Sequence, residues 1–231
     1  MSNPISRRRF LQAAALAVPA AGLIGCHDDD ARMQLAAAQA AGPLFLSEAE
    51  KQFLDAAVER LIPGDPKHPG AREAGVTLFI DRQLSGPYGM AETWYMRGPW
   101  PTGIEEQGWQ SKLNPAQMYH AAIRNIQSHC QQKFGKQYEA LSSDQQDAVL
   151  HDLEKGHIDL PDTSAKQFFQ LLLHNTQEGF LADPMYGGNR NFAGWKLIGF
   201  PGPRYNYVAE IEQYGKPYLM PTVGLKGRAG N

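Results

Sequence analysis

Met118, Ala122, Ile126 and Cys130 recur at every fourth position of one stretch, bracketed by Asn114-Pro115 at one end and Gly135 at the other. That spacing puts four apolar side chains on one face of an α-helix, because residues i and i+4 lie one above the other. Asparagine is a favoured N-cap, and proline fits the first turn, where its missing N–H is not needed. Glycine ends helices by turning left-handed. A chain punctuated in this way has to bury its stripe against other helices.

Comparable signals mark the other elements. Ser47-Glu48-Ala49-Glu50 is a capping box, followed by Phe53, Leu54, Ala57, Val58, Leu61 and Ile62 at helical spacing and by the stop Pro63-Gly64. A second helix is expected over Arg72 to Leu84, burying Val76, Phe79 and Ile80. Ser142 or Ser143 opens a fourth, with Val149, Leu150 and Leu153 on one face and Gly156 as terminator. A fifth runs from about Ser164 to Leu181, where Phe168, Phe169, Leu171, Leu172 and Leu173 make a nearly continuous apolar surface. No segment alternates with period two and no internal repeat is visible. The expected class is all-α, with about five principal helices.

Two segments lie outside this pattern. Gly86 to Lys112 interleaves Tyr88, Trp94, Tyr95, Trp100 and Trp109 with glycine and proline. From Pro184 to Asn231 helical periodicity is again missing over most of the length, while Tyr186, Phe192, Trp195, Phe200 and several further tyrosines recur among prolines. Long irregular loops in a small domain are functional or disordered, and disordered segments are poor in aromatics. These loops must therefore be ordered against something. Either they fold back over their own helices, or the C-terminal segment is an extended arm lying on another protein.

The N-terminus reads as an address. Ser6-Arg7-Arg8-Arg9-Phe10-Leu11-Gln12 is a twin-arginine export pattern in which Arg7, Arg8, Phe10 and Leu11 carry the signal. The apolar stretch behind it, Leu11 to Ile24, is mostly alanine and glycine, too weak for a spanning helix of about 20 strongly apolar residues. Leu23-Ile24-Gly25-Cys26 looks like a lipoprotein cleavage box that would leave Cys26 acylated and membrane-held. The competing site is an ordinary small-x-small cleavage near Ala36–Ala40. The expected organisation is a signal over 1–26, an alanine-rich tether over 27–46, and one helical domain over 47–231 with its arm from about 184.

A twin-arginine route carries proteins that are already folded, so something here must fold before export. The formal charge of -2 leaves no electrostatic footprint for nucleic acid. The two cysteines cannot build a disulfide framework. With Cys26 lipidated or removed, Cys130 is alone in an oxidising compartment, which points to pairing with another chain or to a free thiol. Its place on the Met118 stripe favours a buried, inert thiol.

Catalytic and metal motifs are missing. The seven histidines include no Cys-x-x-Cys-His and no His-Glu-x-x-His. There is no Gly-x-Ser-x-Gly and no Gly-x-Gly-x-x-Gly. Gly187-Gly188-Asn189 could cradle an anion with its amides, or could be a tight turn with positive φ. No catalytic, cofactor-binding or metal-ligating residue is assigned in this chain.

The run Glu178-Gly179-Phe180-Leu181-Ala182-Asp183-Pro184-Met185-Tyr186-Gly187-Gly188-Asn189 continues through Arg190-Asn191-Phe192-Ala193-Gly194-Trp195-Lys196 to Phe200-Pro201-Gly202. It resembles the signature of the gluconate 2-dehydrogenase subunit 3 family, the small subunits of membrane-associated flavin dehydrogenases. The twin-arginine start and the helix carrying Phe53 to Ile62 add to the resemblance. It implies a non-catalytic subunit of a periplasmic complex associated with the inner membrane. In such complexes a large subunit binds FAD and oxidises a sugar or sugar acid, and a multihaem cytochrome c subunit takes the electrons. The small subunit's twin arginines lead the FAD-loaded large subunit through the twin-arginine translocase, so the flavin explains the address. The lipobox-like LIGC is not carried over from the family, and membrane association would run through the complex or through lipidated Cys26.

On this resemblance the candidate partner surface comprises Trp94, Trp100, Tyr186, Gly187, Gly188, Asn189, Trp195, Phe200 and Pro201, with Cys130 as a candidate intersubunit disulfide. Two alternatives from the residues themselves are a stand-alone exported enzyme with a cofactor at Gly187–Asn189, and a periplasmic lipoprotein that is a binding module.

Overall fold

The computed structural model describes residues 45–101, 103–104 and 107–227. Arg7, Arg8, Phe10, Leu11 and Cys26, with the signal and most of the tether, lie outside the described residues. Six α-helices follow in chain order: α1 (Glu48–Leu61), α2 (Val76–Leu84), α3 (Pro115–Phe134), α4 (Ser143–Lys155), α5 (Ala165–Leu181) and α6 (Ala193–Ile198). No strand occurs among the described residues, and the chain is all-α.

Four of the helices start on the side chains that the sequence points to. Ser47 Oγ accepts the Glu50 N–H, and the Glu50 carboxylate accepts the Ser47 N–H at 2.9 Å. Asn114 and Gln117 form the same reciprocal box at α3, and Ser142 and Gln145 form it at α4. Ser164 caps α5 by accepting the Gln167 N–H. Each box satisfies two amide donors that the first helical turn leaves open.

The second helix begins later than the periodicity predicts. Residues 71–74 make a single turn, closed by Val76 N–H donating to Ala71 O at 3.0 Å, and Gly75 sits at φ +80. A left-handed glycine with a six-to-one bond is how helices end, so the chain stops at Gly75 and restarts at Val76.

α5 is the hub. It packs on α4 and α2 and touches α1, α3 and α6. Phe168 and Leu172 are fully buried on it, and the Phe168 ring meets the edge of Tyr119 from α3 at 5.4 Å. Phe53 of α1 packs on Tyr138 in the turn after α3, 4.9 Å between ring centres. The stripe of α3 is buried as its spacing requires, with Met118, Ala122, Ile126 and Cys130 all in the core.

The 86–112 connection folds back onto this bundle. Asn175, buried on α5, donates to the Tyr119 hydroxyl at 3.0 Å and accepts from the Tyr88 hydroxyl at 2.9 Å. Tyr88 meets the edge of Trp94, Trp94 meets Trp109, and the Trp109 indole donates to Leu113 O. Burial outweighs the Asn175 bond and pushes the Tyr88 phenol up to about 12. Buried polar groups are tolerated only when bonded, and here one amide ties three segments together.

Ahead of α1, the Asp81 carboxylate of α2 accepts the N–H groups of Phe45 and Leu46 at 2.9 and 2.8 Å. Phe45 stacks on His120 of α3, ring centres 4.4 Å apart, and His120 Nδ1 is hydrogen-bonded to Glu50. Burial alone would raise the Glu50 carboxyl, but the bonds from His120 and then Ser47 outweigh it and hold it below its ordinary 4.5.

Because the folded carboxyl titrates below the unfolded one, its contribution to stability is complete above about pH 4.5 and is lost as pH falls through the folded value. Thermal melts across the acid range should show the midpoint falling in that window. Glu50→Gln should flatten this part of the profile while keeping the capping box, as Gln117 and Gln145 do at α3 and α4.

Candidate functional site

The run from Glu178 to Gly202 begins on the last turn of α5, where the final carbonyls have no further helical N–H to accept from. Two side chains of the same run reach back to them. Asn189 Nδ2 donates to Ala182 O at 2.8 Å, and the Trp195 indole donates to Leu181 O at 2.7 Å. Asn189 Oδ1 meanwhile accepts the Gly194 N–H at 2.8 Å, inside the first turn of α6. One fully buried amide thus closes one helix and opens the next.

This closure brings backbone against backbone. A Cβ on Gly188 would overlap the Gly179 carbonyl of α5, and one on Gly194 would overlap that of Phe180. Only glycine fits either place. Asn189, Asn191 and Phe192 stand at φ +47, +55 and +59. Asparagine visits this left-handed region readily, but for phenylalanine it costs on the order of 1–2 kcal/mol. Burial of the Phe192 ring, stacked on Trp195 at 5.4 Å, offsets that cost.

The same run docks on α2. Arg190 N–H donates to Ala74 O at 2.9 Å, and the Arg82 guanidinium lies against Gly187. The Gly187 N–H is already used by Pro184 O. Asp183 ties the start of the run to the end of the described chain. Its two carboxylate oxygens accept the Met185 N–H at 3.0 Å and the Leu225 N–H at 2.6 Å.

The sequence-based partner surface is therefore corrected in part. Gly187, Gly188, Asn189 and Trp195 are buried in the chain's own fold, so they form helix-capping and packing contacts and no outward face. Tyr186 and Phe200 remain exposed, while Trp94, Trp100 and Pro201 are half-buried. The short helix α6 is also missing from the sequence reading. At six residues, with glycine second, it has no legible period; Asn189 holds its first turn, and its own Trp195 ties it to Leu181 O.

Cys130 is unpaired and has no exposed surface. Burial pushes its thiol up to about 11. A bridge to another chain needs the two Cα atoms within roughly 7 Å, and a sulfur inside the helical core cannot come that near. The inert thiol is the reading this geometry supports.

Beside the run an open groove of about 640 Å³ lies between α2 and α5, lined among others by Phe79, Tyr88, Leu181 and Tyr186. On its rim His174 Nε2 lies 3.1 Å from the Glu178 carboxylate. Among the described residues no group of three or more His, Cys, Asp or Glu is placed to hold a metal ion, and no helix is long and apolar enough to cross a membrane.

The family model described as gluconate 2-dehydrogenase subunit 3 matches residues 48–202, from the first turn of α1 to the end of this run. The chain belongs to that family. No match was found among curated proteins, and none among solved structures. The matched span holds all six helices and the Asn189 closure. As a member, the chain is a subunit of a gluconate 2-dehydrogenase-like complex.

Asn189→Ala should leave a buried carbonyl and a buried N–H without partners. At about 1–3 kcal/mol for each orphan, the expected loss is about 2–6 kcal/mol by denaturant unfolding. Cys130 should resist alkylation in the folded chain and react at once in denaturant. The parent complex should run as separate bands on non-reducing gels, with no reductant-sensitive band of summed mass, and a Cys130→Ser variant should assemble as the parent does.

Proposed function

We propose that this chain is the non-catalytic small subunit of a periplasmic FAD-dependent dehydrogenase acting on a sugar or sugar acid. Its work is the twin-arginine export, assembly and stability of the FAD-binding subunit, whose electrons pass to a multihaem cytochrome c. The family match over residues 48–202 carries this reading. The Arg7-Arg8-Phe10-Leu11 pattern supports the export part of it, since a tightly bound flavin has to be loaded before the protein leaves the cytoplasm. FAD and haem c would belong to the partner subunits. The complex would sit at the inner membrane through those partners or through lipidated Cys26.

The stand-alone enzyme reading loses its proposed cradle. Gly187-Gly188-Asn189 packs on α5 and α2, with the Gly187 amide and the Asn189 side chain already engaged within the chain.

Replacing Arg7 and Arg8 together by lysine tests the proposal. Both this chain and a FAD-binding partner lacking its own signal should stay in the cytoplasm, read by cell fractionation and by dye reduction in the periplasm. A partner that still reaches the periplasm fully active would show that it does not travel on this chain.

A further inference from the structure

Beyond the matched family span the chain makes one more structure, a loop from Pro203 to Thr222 that is closed at its base. Val223 N–H donates to Pro201 O at 3.2 Å, and the Val223 carbonyl sits where a Cβ on Gly202 would be. Next to it Gly224 and Gly227 exchange backbone hydrogen bonds at 2.8 and 3.0 Å, and Leu225 is held by Asp183. Inside the loop the Arg204 guanidinium lies over the Tyr218 ring at 5.5 Å and donates to Pro221 O. Tyr207 packs on Tyr218 at 5.7 Å, and its hydroxyl donates to Gly202 O.

The apolar side chains of this loop point the wrong way for a lone protein. Tyr205 is 103% exposed, Leu219 88% and Tyr214 85%, with Val208, Ile211 and Met220 also more than half exposed. At 150–250 Å² for an aromatic side chain, Tyr205 and Tyr214 alone present about 300–500 Å², to which Leu219, Val208, Ile211 and Met220 add. Apolar patches on monomers rarely pass a few hundred Å², whereas a standard protein interface takes about 800 Å² from each partner. The charges within the loop balance, Arg204 and Lys216 against Glu210 and Glu212. Hence no basic excess favours an anionic lipid surface or nucleic acid. Tyrosine and methionine on a neutral surface fit a protein. A loop already closed at its base also loses less conformational freedom on docking.

We infer that the loop 203–222 is the surface with which this chain grips the FAD-binding subunit of its own complex, an inference that rests on the function proposed above. The family match ends at Gly202, where the loop begins. Gripping through a segment outside the matched span makes the contact selective for this chain's partner.

The test uses the full chain co-expressed with the FAD-binding subunit of its own host. The variant Tyr205→Ser/Tyr214→Ser/Leu219→Ser removes three exposed side chains, so its helical circular dichroism and thermal midpoint should match the parent. Its affinity for the FAD-binding subunit should fall roughly thirtyfold or more, as for truncated interface anchors. His151→Ser/Glu154→Ser/Lys155→Ser on the outer face of α4 should bind as the parent does. Chymotrypsin should cut the free parent chain in the loop, and the FAD-binding subunit should suppress that cut, a readout that needs no variant.

Equal binding by parent and loop variant, with no protection from chymotrypsin, would overturn the loop's role and leave the subunit assignment standing. A parent chain that fails to bind the FAD-binding subunit at all would overturn both. The loop's role would fall equally if the variant abolished self-association of the chain, or its binding to phosphatidylglycerol vesicles, while flavoprotein binding persisted.

Discussion

The last turn of α5 leaves carbonyls at Leu181 and Ala182 that no further turn of helix can reach, and a buried amide and an indole satisfy them. Because Asn189 also holds the first turn of α6, one side chain fixes the path of everything from Ala182 to Gly199. α5 in turn is the helix on which the other five rest. An unsatisfied carbonyl in this place would cost about 1–3 kcal/mol, a substantial share of a domain stability of 5–15 kcal/mol. The close approaches at Gly188 and Gly194 and the left-handed turn at Phe192 follow from that closure. They are conditions for bringing a returning backbone near enough for Asn189 to reach both ends.

A second buried amide repeats the device earlier on the same helix. Asn175 joins α5 to α3 through Tyr119 and to the 86–112 loop through Tyr88. The two long aromatic segments are thus pinned by the same chemistry, one amide with a donor and an acceptor each used once. Aromatic rings then fill the space the loops enclose, Trp94 on Trp109 and Trp195 on Phe192 and Phe200. Much of what reads as loop in this chain is a packed layer over the helices.

How much of this could be read from the residues depended on whether the cause was local. Capping boxes act within four residues, so Ser47, Asn114, Ser142 and Ser164 placed four helix starts where the structure has them. The Met118 stripe predicted its own burial for the same reason. Gly75 was a local signal that periodicity overrode, since Arg72 to Leu84 looks continuous until the left-handed glycine is taken as a stop. α6 and the inward turn of Asn189 and Trp195 were not legible, because both depend on carbonyls that only the folded α5 presents. An exposed aromatic and a capping aromatic are the same letter in sequence. The family assignment was legible all the same, since a long motif can be matched without its mechanics.

That distinction bears on where function sits. The most recognisable stretch of the chain, from Glu178 to Gly202, spends Asn189, Trp195, Gly188 and Gly194 on holding α5 and α6 together. Residues so buried have little surface left for a partner. The segment that follows has the opposite character: polar and aromatic contacts join its base and inner side, and its largest apolar groups stand in water. Water exacts a free-energy cost for apolar area wherever it is left open, about 25 cal/mol for each Å². A chain that stabilises its scaffold with a buried motif and then leaves such area exposed on a preformed loop has stored driving force for association. The buried run lies inside the matched family span, and the exposed loop lies beyond it.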